Sequence, residues 1–302
     1  MTATATREEP WTIRKVLTWA ADDLKKRGHP SPRLDAELLL GKVLNLPRVK
    51  LVIDADRPLS KDELSAYRGL HTRRRSGEPV AYLLGVREFY GRPFRVDPRV
   101  LIPRPDTEIL VEVALARTAS RSLSLRALDL CTGSGCVAIT IARERPTARV
   151  IGSDISRAAL EVARDNALRL GAFNVAFFEA DLLTLPPPAR GPFDLITANP
   201  PYIADGEEPD LPVDIRKFEP HGALFGGSDG LAIIRRIVRD APLALDENGV
   251  LAVEVAAGQA AAVAELLRDR GFAAIETKRD YGGHERVVSG VWRAPAKERR
   301  DG

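Results

Sequence analysis

The sequence predicts an α/β protein: a mostly parallel sheet covered by helices on both faces, preceded by a small helical domain and a linking β-hairpin. Three observations carry this expectation. From Leu125 onward, short apolar runs of strand length alternate with helical runs, the rhythm of parallel strands joined by crossover helices. Before about residue 85 the apolar spacing is that of helices. Between the two lies Phe89-Tyr90-Gly91-Arg92-Pro93-Phe94, where alternating apolar residues flank a glycine and read as a hairpin around Gly91-Arg92.

Taken in order, Ile13, Val16, Leu17, Ala20 and Leu24 form one face of a first helix from Thr12 to about Arg27, stopped by Gly28 and Pro30. Ser31 and Pro32 suit the N-cap and first position of a second helix, with Leu38, Leu39 and Val43 pointing inward. Ser60-Lys61-Asp62-Glu63 is a capping-box pattern, opening a helix through Leu64, Tyr67 and Leu70. Near its end, Arg73-Arg74-Arg75 reads as a solvated basic end favoured by the helix dipole, or as a contact for phosphate or an acidic partner. After the hairpin, two prolines in Pro103-Arg104-Pro105-Asp106-Thr107-Glu108 set an extended loop, and Asp106 can cap a helix from Ile109 to Arg117.

Strands are expected at Ala127–Leu130, Val150–Ser153, Val175–Phe178, Leu195–Ala198 and Val250–Val255, with helices at Val137–Arg145, Ala158–Leu170, Leu231–Leu243 and Gln259–Arg270. Two final strands, near Ala274–Lys278 and Glu285–Trp292, have too short a link for a crossover helix and are expected to pair antiparallel. The expected organisation is a helical domain at 1–85, a hairpin and linker at 86–105, the sheet domain at 106–292 and a disordered charged tail at 293–302.

At 302 residues and 44% hydrophobic content the chain can bury a substantial core, and a formal net charge of +3 does not point to nucleic acid. Cys131 and Cys136 are neither a disulfide framework nor, without partners, a zinc site, so no metal is expected. The first nine residues lack the apolar core of a signal peptide, and no run is long enough to span a bilayer. A cytoplasmic protein, monomeric and without a membrane partner, is expected.

Chemistry concentrates at two loops. Leu130-Cys131-Thr132-Gly133-Ser134-Gly135-Cys136 places Gly-x-Gly between the first sheet strand and its helix, where backbone approaches a ligand closely. Asp129 begins that loop, Asp154 ends the second strand and Asp181 follows the third. Carboxylates at successive strand ends repel a pyrophosphate and suit a ligand with a cationic sulfonium and ammonium, which favours S-adenosylmethionine over a dinucleotide. Asp154 is placed for ribose hydroxyls, and Asp181 with Leu182 for an adenine. The second loop, Asn199-Pro200-Pro201-Tyr202, ends the fourth strand because neither proline can donate to a ladder. Its carbonyls and the Asn199 side-chain oxygen are acceptors for a substrate NH₂ group, and Tyr202 can cover the flat face of that group.

These residues give the chain its resemblance to the PrmC (HemK) family. The segments that carry it are Ser31-Pro32-Arg33-Leu34-Asp35-Ala36-Glu37, Gly77-Glu78-Pro79-Val80-Ala81-Tyr82, Pro103-Arg104-Pro105-Asp106-Thr107-Glu108, Asn199-Pro200-Pro201-Tyr202, Phe218-Glu219-Pro220 and Arg279-Asp280-Tyr281. The resemblance implies a Rossmann-like, seven-stranded class I methyltransferase sheet that moves a methyl group from S-adenosylmethionine to the glutamine amide of the Gly-Gly-Gln motif in peptide-chain release factors. It implies cofactor contacts at Cys131, Thr132, Gly133, Ser134, Gly135, Asp154, Leu182 and Asn199, substrate contacts at Asn199, Pro200, Pro201 and Tyr202, and a helical leader that recognises the protein substrate. Many members have glycine at the position of Cys131, which therefore requires ordinary backbone angles here. Methylation of a ribosomal-protein glutamine, or of a nucleic-acid adenine or cytosine amine, remains an alternative.

Overall fold

The computed structural model describes residues 10–293 except residue 122, so the tail expected at 293–302 lies, apart from Arg293, outside the described residues. The chain divides into two units: one runs to Gly85 and includes Val213–Phe218, and the other holds Val86–Pro212 and the chain from Glu219.

The first unit contains α1 (Ile13–Lys26), α2 (Pro32–Leu44), α3 (Arg48–Ile53), α4 (Lys61–Arg75) and α5 (Val80–Leu84). The five apolar residues whose spacing marks one face of α1 are all buried. In α2 it is Leu39 and Leu40 that are buried, while Leu38 and Val43 are half-buried. Ser31 stands at the N-cap without a side-chain cap bond, because its backbone (ψ 55°) is not the extended conformation that turns the hydroxyl onto the first amides. Ser60 and Glu63 do form the reciprocal capping box.

In the basic run Arg73 and Arg75 stay exposed, as a solvated end requires, but Arg74 does not. Arg74 is 5% exposed, donates to Asp35 at 2.8 Å and to the Gly77 and Glu78 carbonyls. Arg73 pairs with Glu78, and Arg75 with Asp23. Asp35 and Asp23 come from α2 and α1, which is why the sequence around Arg74 and Arg75 gives no sign of these pairs.

The second unit opens on the hairpin β1 (Val86–Phe89) and β2 (Arg92–Arg95). Its turn is Tyr90-Gly91, one residue before the expected position. Both turn residues have positive φ (51° and 69°), the handedness that matches strand twist in a two-residue loop. A single turn of 3₁₀ helix, Pro105–Thr107, leads into α6 (Glu108–Arg117). That turn displaces Asp106 from the capping position, and its carboxylate pairs with Arg286 at 3.3 Å instead.

Then follow β3 (Arg126–Leu130), α7 (Cys136–Glu144), β4 (Arg149–Asp154), α8 (Arg157–Arg169), β5 (Val175–Glu179) and β6 (Phe193–Ala198). After α9 (Val213–Phe218), which belongs to the first unit, come α10 (Ala232–Asp240), β7 (Leu245–Glu254), α11 (Ala260–Arg270), β8 (Phe272–Arg279) and β9 (Glu285–Trp292). The helix expected to reach Leu243 stops at Asp240 because Pro242 cannot continue it.

The expected seven-stranded sheet is present, in the order β5-β4-β3-β6-β7-β9-β8. All pairs are parallel except β7 with β9 and β9 with β8. Alternate strand residues feed two cores: Ala127 and Leu195 join one, Leu128 and Ile196 the other. Each fully buried leucine or isoleucine contributes about 1.5–3 kcal/mol. Strand order reverses between β3 and β6, so the crevice outside their carboxyl ends is the topological switch point where open α/β sheets bind ligands.

Candidate active site

The loops after β3 and β6 flank that crevice, and a cavity of about 570 Å³ opens between them. Register brings Asp129 of β3 opposite Thr197 of β6, on the same face because both lie two residues beyond a paired core position. Thr197 Oγ1 donates to one Asp129 oxygen at 2.8 Å and Thr132 Oγ1 to the other at 2.6 Å. Asp129 is 2% exposed, and burial pushes its carboxyl up to about 7, against the pull of these two hydroxyls.

Thr132 also donates its amide to the Ser153 carbonyl of β4, so the chain must turn sharply out of β3. That turn places Cys131 at φ 55°, overturning the expectation of ordinary angles there. A non-glycine residue bears roughly 1–2 kcal/mol in this region. Such local strain is typical of functional loops. Burial pushes both thiols up, Cys136 to about 12, which keeps them protonated and unreactive.

The two glycines do different jobs. Gly133 has φ 52° and open space where a side chain would begin, so a ligand can approach its backbone. At Gly135 a Cβ would meet Ile139, Ala163 and Phe177. It allows α7 to pack, and it does not line the cavity.

Asp154 is held by backbone: one oxygen accepts from the Gly133 amide and the other from Ser156, both at 2.9 Å. Desolvation raises its pKa against these bonds. Each oxygen retains a lone pair for a hydroxyl. Asp181 is ion-paired with Arg236 of α10 at 2.7 Å, so its charge is compensated and the cationic preference rests on Asp129 and Asp154. Leu182 lines the cavity at φ 50°.

Asn199 Nδ2 donates to Thr107 Oγ1 at 3.2 Å, which leaves Oδ1 as the acceptor toward the cavity that Asn199 lines. Pro201 also lines it, whereas Pro200 and Tyr202 do not. Tyr202 is turned to Glu254, its hydroxyl 3.5 Å from Oε1, so it is not placed to cover a bound group in the cavity. Close packing holds it there. Gln259 donates to the Tyr202 carbonyl at 3.0 Å, and Gly226 and Gly230 admit the Pro201 and Tyr202 carbonyls, which a Cβ would meet at 2.5 and 2.2 Å.

Every residue expected to touch the cofactor lines the cavity except Gly135. Sequence reasoning missed Thr107, Glu219, Asn166 and Arg236. Asn166, fully buried on α8, ties the Ser134 carbonyl to the backbone of Arg95. Glu219 accepts from the Ile102 amide and Arg104, tethering the Pro-Arg-Pro segment beside the cavity. A buried asparagine or glutamate among helix-forming residues is a weak signal in one sequence, but Glu219 does lie in the Phe218-Glu219-Pro220 segment.

A PrmC N-terminal domain model matches residues 15–85 and a methyltransferase domain model matches residues 127–212. The release factor glutamine methyltransferase of Geobacter sulfurreducens is 44% identical over 94% of this chain and 98% of its own length. The chain belongs to the release factor glutamine methyltransferase family. A second member, from Vibrio cholerae, is 44% identical over 93% of this chain and 97% of its own. The solved structure of a methyltransferase from Pyrococcus furiosus, 16% identical, covers 67% of this chain and 90% of that one at a TM-score of 0.50, a likeness of fold.

As in a class I methyltransferase, the cavity lies at the carboxyl edge of the sheet. Its residues fit S-adenosylmethionine: acidic Asp129 and Asp154 for cationic and hydroxyl groups, apolar Leu182 and Ile155 for a flat ring, and the bare backbone at Gly133. Among the described residues no helix is long and apolar enough to cross a membrane.

Proposed function

We propose that the chain transfers a methyl group from S-adenosylmethionine to the side-chain amide nitrogen of the glutamine in the Gly-Gly-Gln motif of peptide-chain release factors. It does so as a cytoplasmic monomer, without a metal and without nucleic acid. The observation that carries this reading is the Asn199 carboxamide at the switch point, its NH₂ committed to Thr107 and its oxygen left for the cavity. The helical unit to Gly85 supplies recognition of the protein substrate, residues 86–105 link it to the sheet, and S-adenosylhomocysteine leaves as product.

When bound, S-adenosylmethionine supplies a methyl group on a cationic sulfonium. The chain's residues do the positioning. Asn199 Oδ1 and the Pro200 carbonyl accept the two amide hydrogens of the substrate glutamine, orienting a nitrogen whose lone pair is otherwise delocalised. Two acceptors also favour the positive charge that develops on that nitrogen before it releases a proton. Asp154 holds ribose hydroxyls, and Asp129 stiffens the loop beneath the cationic end.

The test is transfer of labelled methyl to purified release factor, its glutamine-substituted variant, ribosomal protein and unmethylated DNA in parallel. Label on the intact release factor alone is expected. Label on DNA or ribosomal protein instead would overturn the substrate.

Two binding results should follow. Asp154→Ala is expected to weaken S-adenosylmethionine about 10- to 100-fold by calorimetry, the loss of one or two hydrogen bonds to a charged group. Unchanged affinity would remove Asp154 from the cofactor set. Affinity should also rise with pH. Asp129 has a folded pKa (about 7) above its unfolded one, so its contribution to stability is fully present below about pH 4 and is lost as pH rises toward 7. A cationic ligand favours the ionised form, so binding near pH 6 should release a proton and tighten toward pH 8. Calorimetry in two buffers of different ionisation enthalpy measures that proton, which Asp129→Asn should abolish.

A further inference from the structure

Two segments that stand out in the sequence, residues 103–108 and Arg279-Asp280-Tyr281, have no role of their own in the chemistry above, and the structure joins them. The first is tied down at alternate residues. The Ile102 amide and the Arg104 guanidinium both donate to Glu219, the Asp106 carboxylate pairs with Arg286 at 3.3 Å, and Glu108 accepts from the Tyr90 amide at 2.7 Å. Between the last two anchors Thr107 lines the cavity and accepts from Asn199 Nδ2 at 3.2 Å. Arg286, of β9, is held in turn by the second segment. Its Nε and Nη2 donate to Asp280 Oδ2 at 3.2 and 3.0 Å, and Asp280 Oδ1 accepts from the His284 amide at 2.9 Å. The two side chains are 14% and 4% exposed, so the guanidinium is fixed where Nη2 reaches Asp106.

We propose that Arg286 is a positioning residue for methyl transfer: fixed by Asp280, it holds the Asp106 carboxylate away from the amino end of α6 and thereby keeps Thr107 against the Asn199 carboxamide. The proposal rests on the reading above, in which Asn199 Oδ1 accepts a hydrogen of the substrate amide. A carboxylate two residues before α6 has a second place to go. The amino end of a helix presents unpaired amides and the positive end of its dipole, and aspartate is among the best residues to cap them. Here no side chain caps α6. The Pro105 and Asp106 carbonyls take the Glu108 amide instead, in the 3₁₀ turn Pro105–Thr107.

The two arrangements exclude each other. A capping residue has extended backbone, so Asp106 can cap α6 only if the 3₁₀ turn opens at that residue, and Thr107 is the next in the chain. A displaced Thr107 no longer meets Nδ2, and among the described residues it is the one hydrogen-bond partner of the Asn199 side chain. The carboxamide is then free to turn about its last bond. A turned carboxamide presents NH₂ to a substrate NH₂, two donors with no acceptor between them. The Asp106 side chain is 48% exposed, so packing does not decide between the two arrangements. The fixed cation of Arg286 does.

The test is an order of effects that a merely structural ion pair would not give. Asp106→Asn gives up the ion pair and keeps a good capping side chain, and should lower kcat about 10- to 100-fold with the cofactor dissociation constant unchanged. Asp106→Ala gives up the ion pair and the cap together, and should cost only about two- to threefold, well short of that misplacement. Arg286→Met, which keeps the stem and removes the charge, should lose as much as Asp106→Asn, and adding Asp106→Ala to it should recover most of the loss. The Asp106 variants leave the buried pair of Arg286 and Asp280 intact, so they decide the matter even where Arg286→Met does not fold. In the free protein, the side-chain NH₂ resonance of Asn199, assigned by its absence in Asn199→Ala, should stay in place in Asp106→Ala and move in Asp106→Asn. A loss in Asp106→Ala as large as in Asp106→Asn, or a resonance unmoved in Asp106→Asn, would each overturn the proposal. The resonance needs no turnover, so it separates the two ideas. If it moves as expected while the wild-type protein methylates no release factor, the positioning role stands and the substrate reading fails.

Discussion

Asn199→Ala is expected to lower methyl transfer to release factor by about 10²- to 10³-fold or more, the scale set by removing one preorganised hydrogen-bonding group from a reacting centre. S-adenosylmethionine should still bind, weakened several-fold, because Asn199 is one lining residue among many while Asp129, Asp154 and the glycine loop stay in place. The substitution removes the one side-chain acceptor of the corner and leaves the Pro200 and Pro201 backbone intact. It also leaves Thr107 without the donor it held at 3.2 Å. Single-turnover transfer and cofactor calorimetry on the same preparation separate the effects. Equal losses in both would contradict a specific hold on the substrate amide and make Asn199 a cofactor residue only.

The second large effect is on stability. Arg74→Ala is expected to destabilise the helical unit by about 3–5 kcal/mol, the cost of removing one partner from a buried ion pair. Arg74 and Asp35 are 5% and 6% exposed, 2.8 Å apart, and join α4 to α2. Without the guanidinium, Asp35 keeps a buried charge with no partner at that oxygen, and the Gly77 and Glu78 carbonyls lose their donor. Thermal unfolding followed by circular dichroism should show a transition shifted down by many degrees. Removing both charges in Asp35→Ala/Arg74→Ala should be less damaging than the sum of the single changes. A melting temperature within a degree of wild type would show that the pair contributes nothing, whatever its geometry. Recognition of the release factor is proposed for this unit, so the variant should also lose transfer to protein at temperatures where cofactor still binds.

Much of this molecule can be read along the chain because the interactions that specify it are local. The face of α1, the capping box at Ser60, the stop at Pro200-Pro201 and the strand-and-helix rhythm after Leu125 are all set by residues within a turn or two of one another. Periodicity, capping geometry and the missing amide of proline act at that range, so a single sequence displays them. The Gly-x-Gly loop and the acids at successive strand ends are legible for a related reason. Parallel strands bring their carboxyl ends to one edge, so position in the repeat predicts position in space.

Other features depend on partners that only the fold brings near. Arg74 meets Asp35 across 39 residues, Asn199 meets Thr107 across 92, and Ile102 meets Glu219 across 117. Each is an ordinary polar residue in its own neighbourhood, and its role comes from low-dielectric surroundings and one buried partner. The same holds where the expectations erred. Asp106 leaves its capping position for Arg286, Tyr202 turns to Glu254, and Cys131 adopts a glycine-like angle because Thr132 must reach both Ser153 and Asp129. The sequence by itself therefore determined the layers, the switch point and the two loops that flank the cavity. Tertiary structure alone decided how the side chains at those loops are oriented and charged, because a hydrogen-bond partner or a buried ion is selected by distance in space.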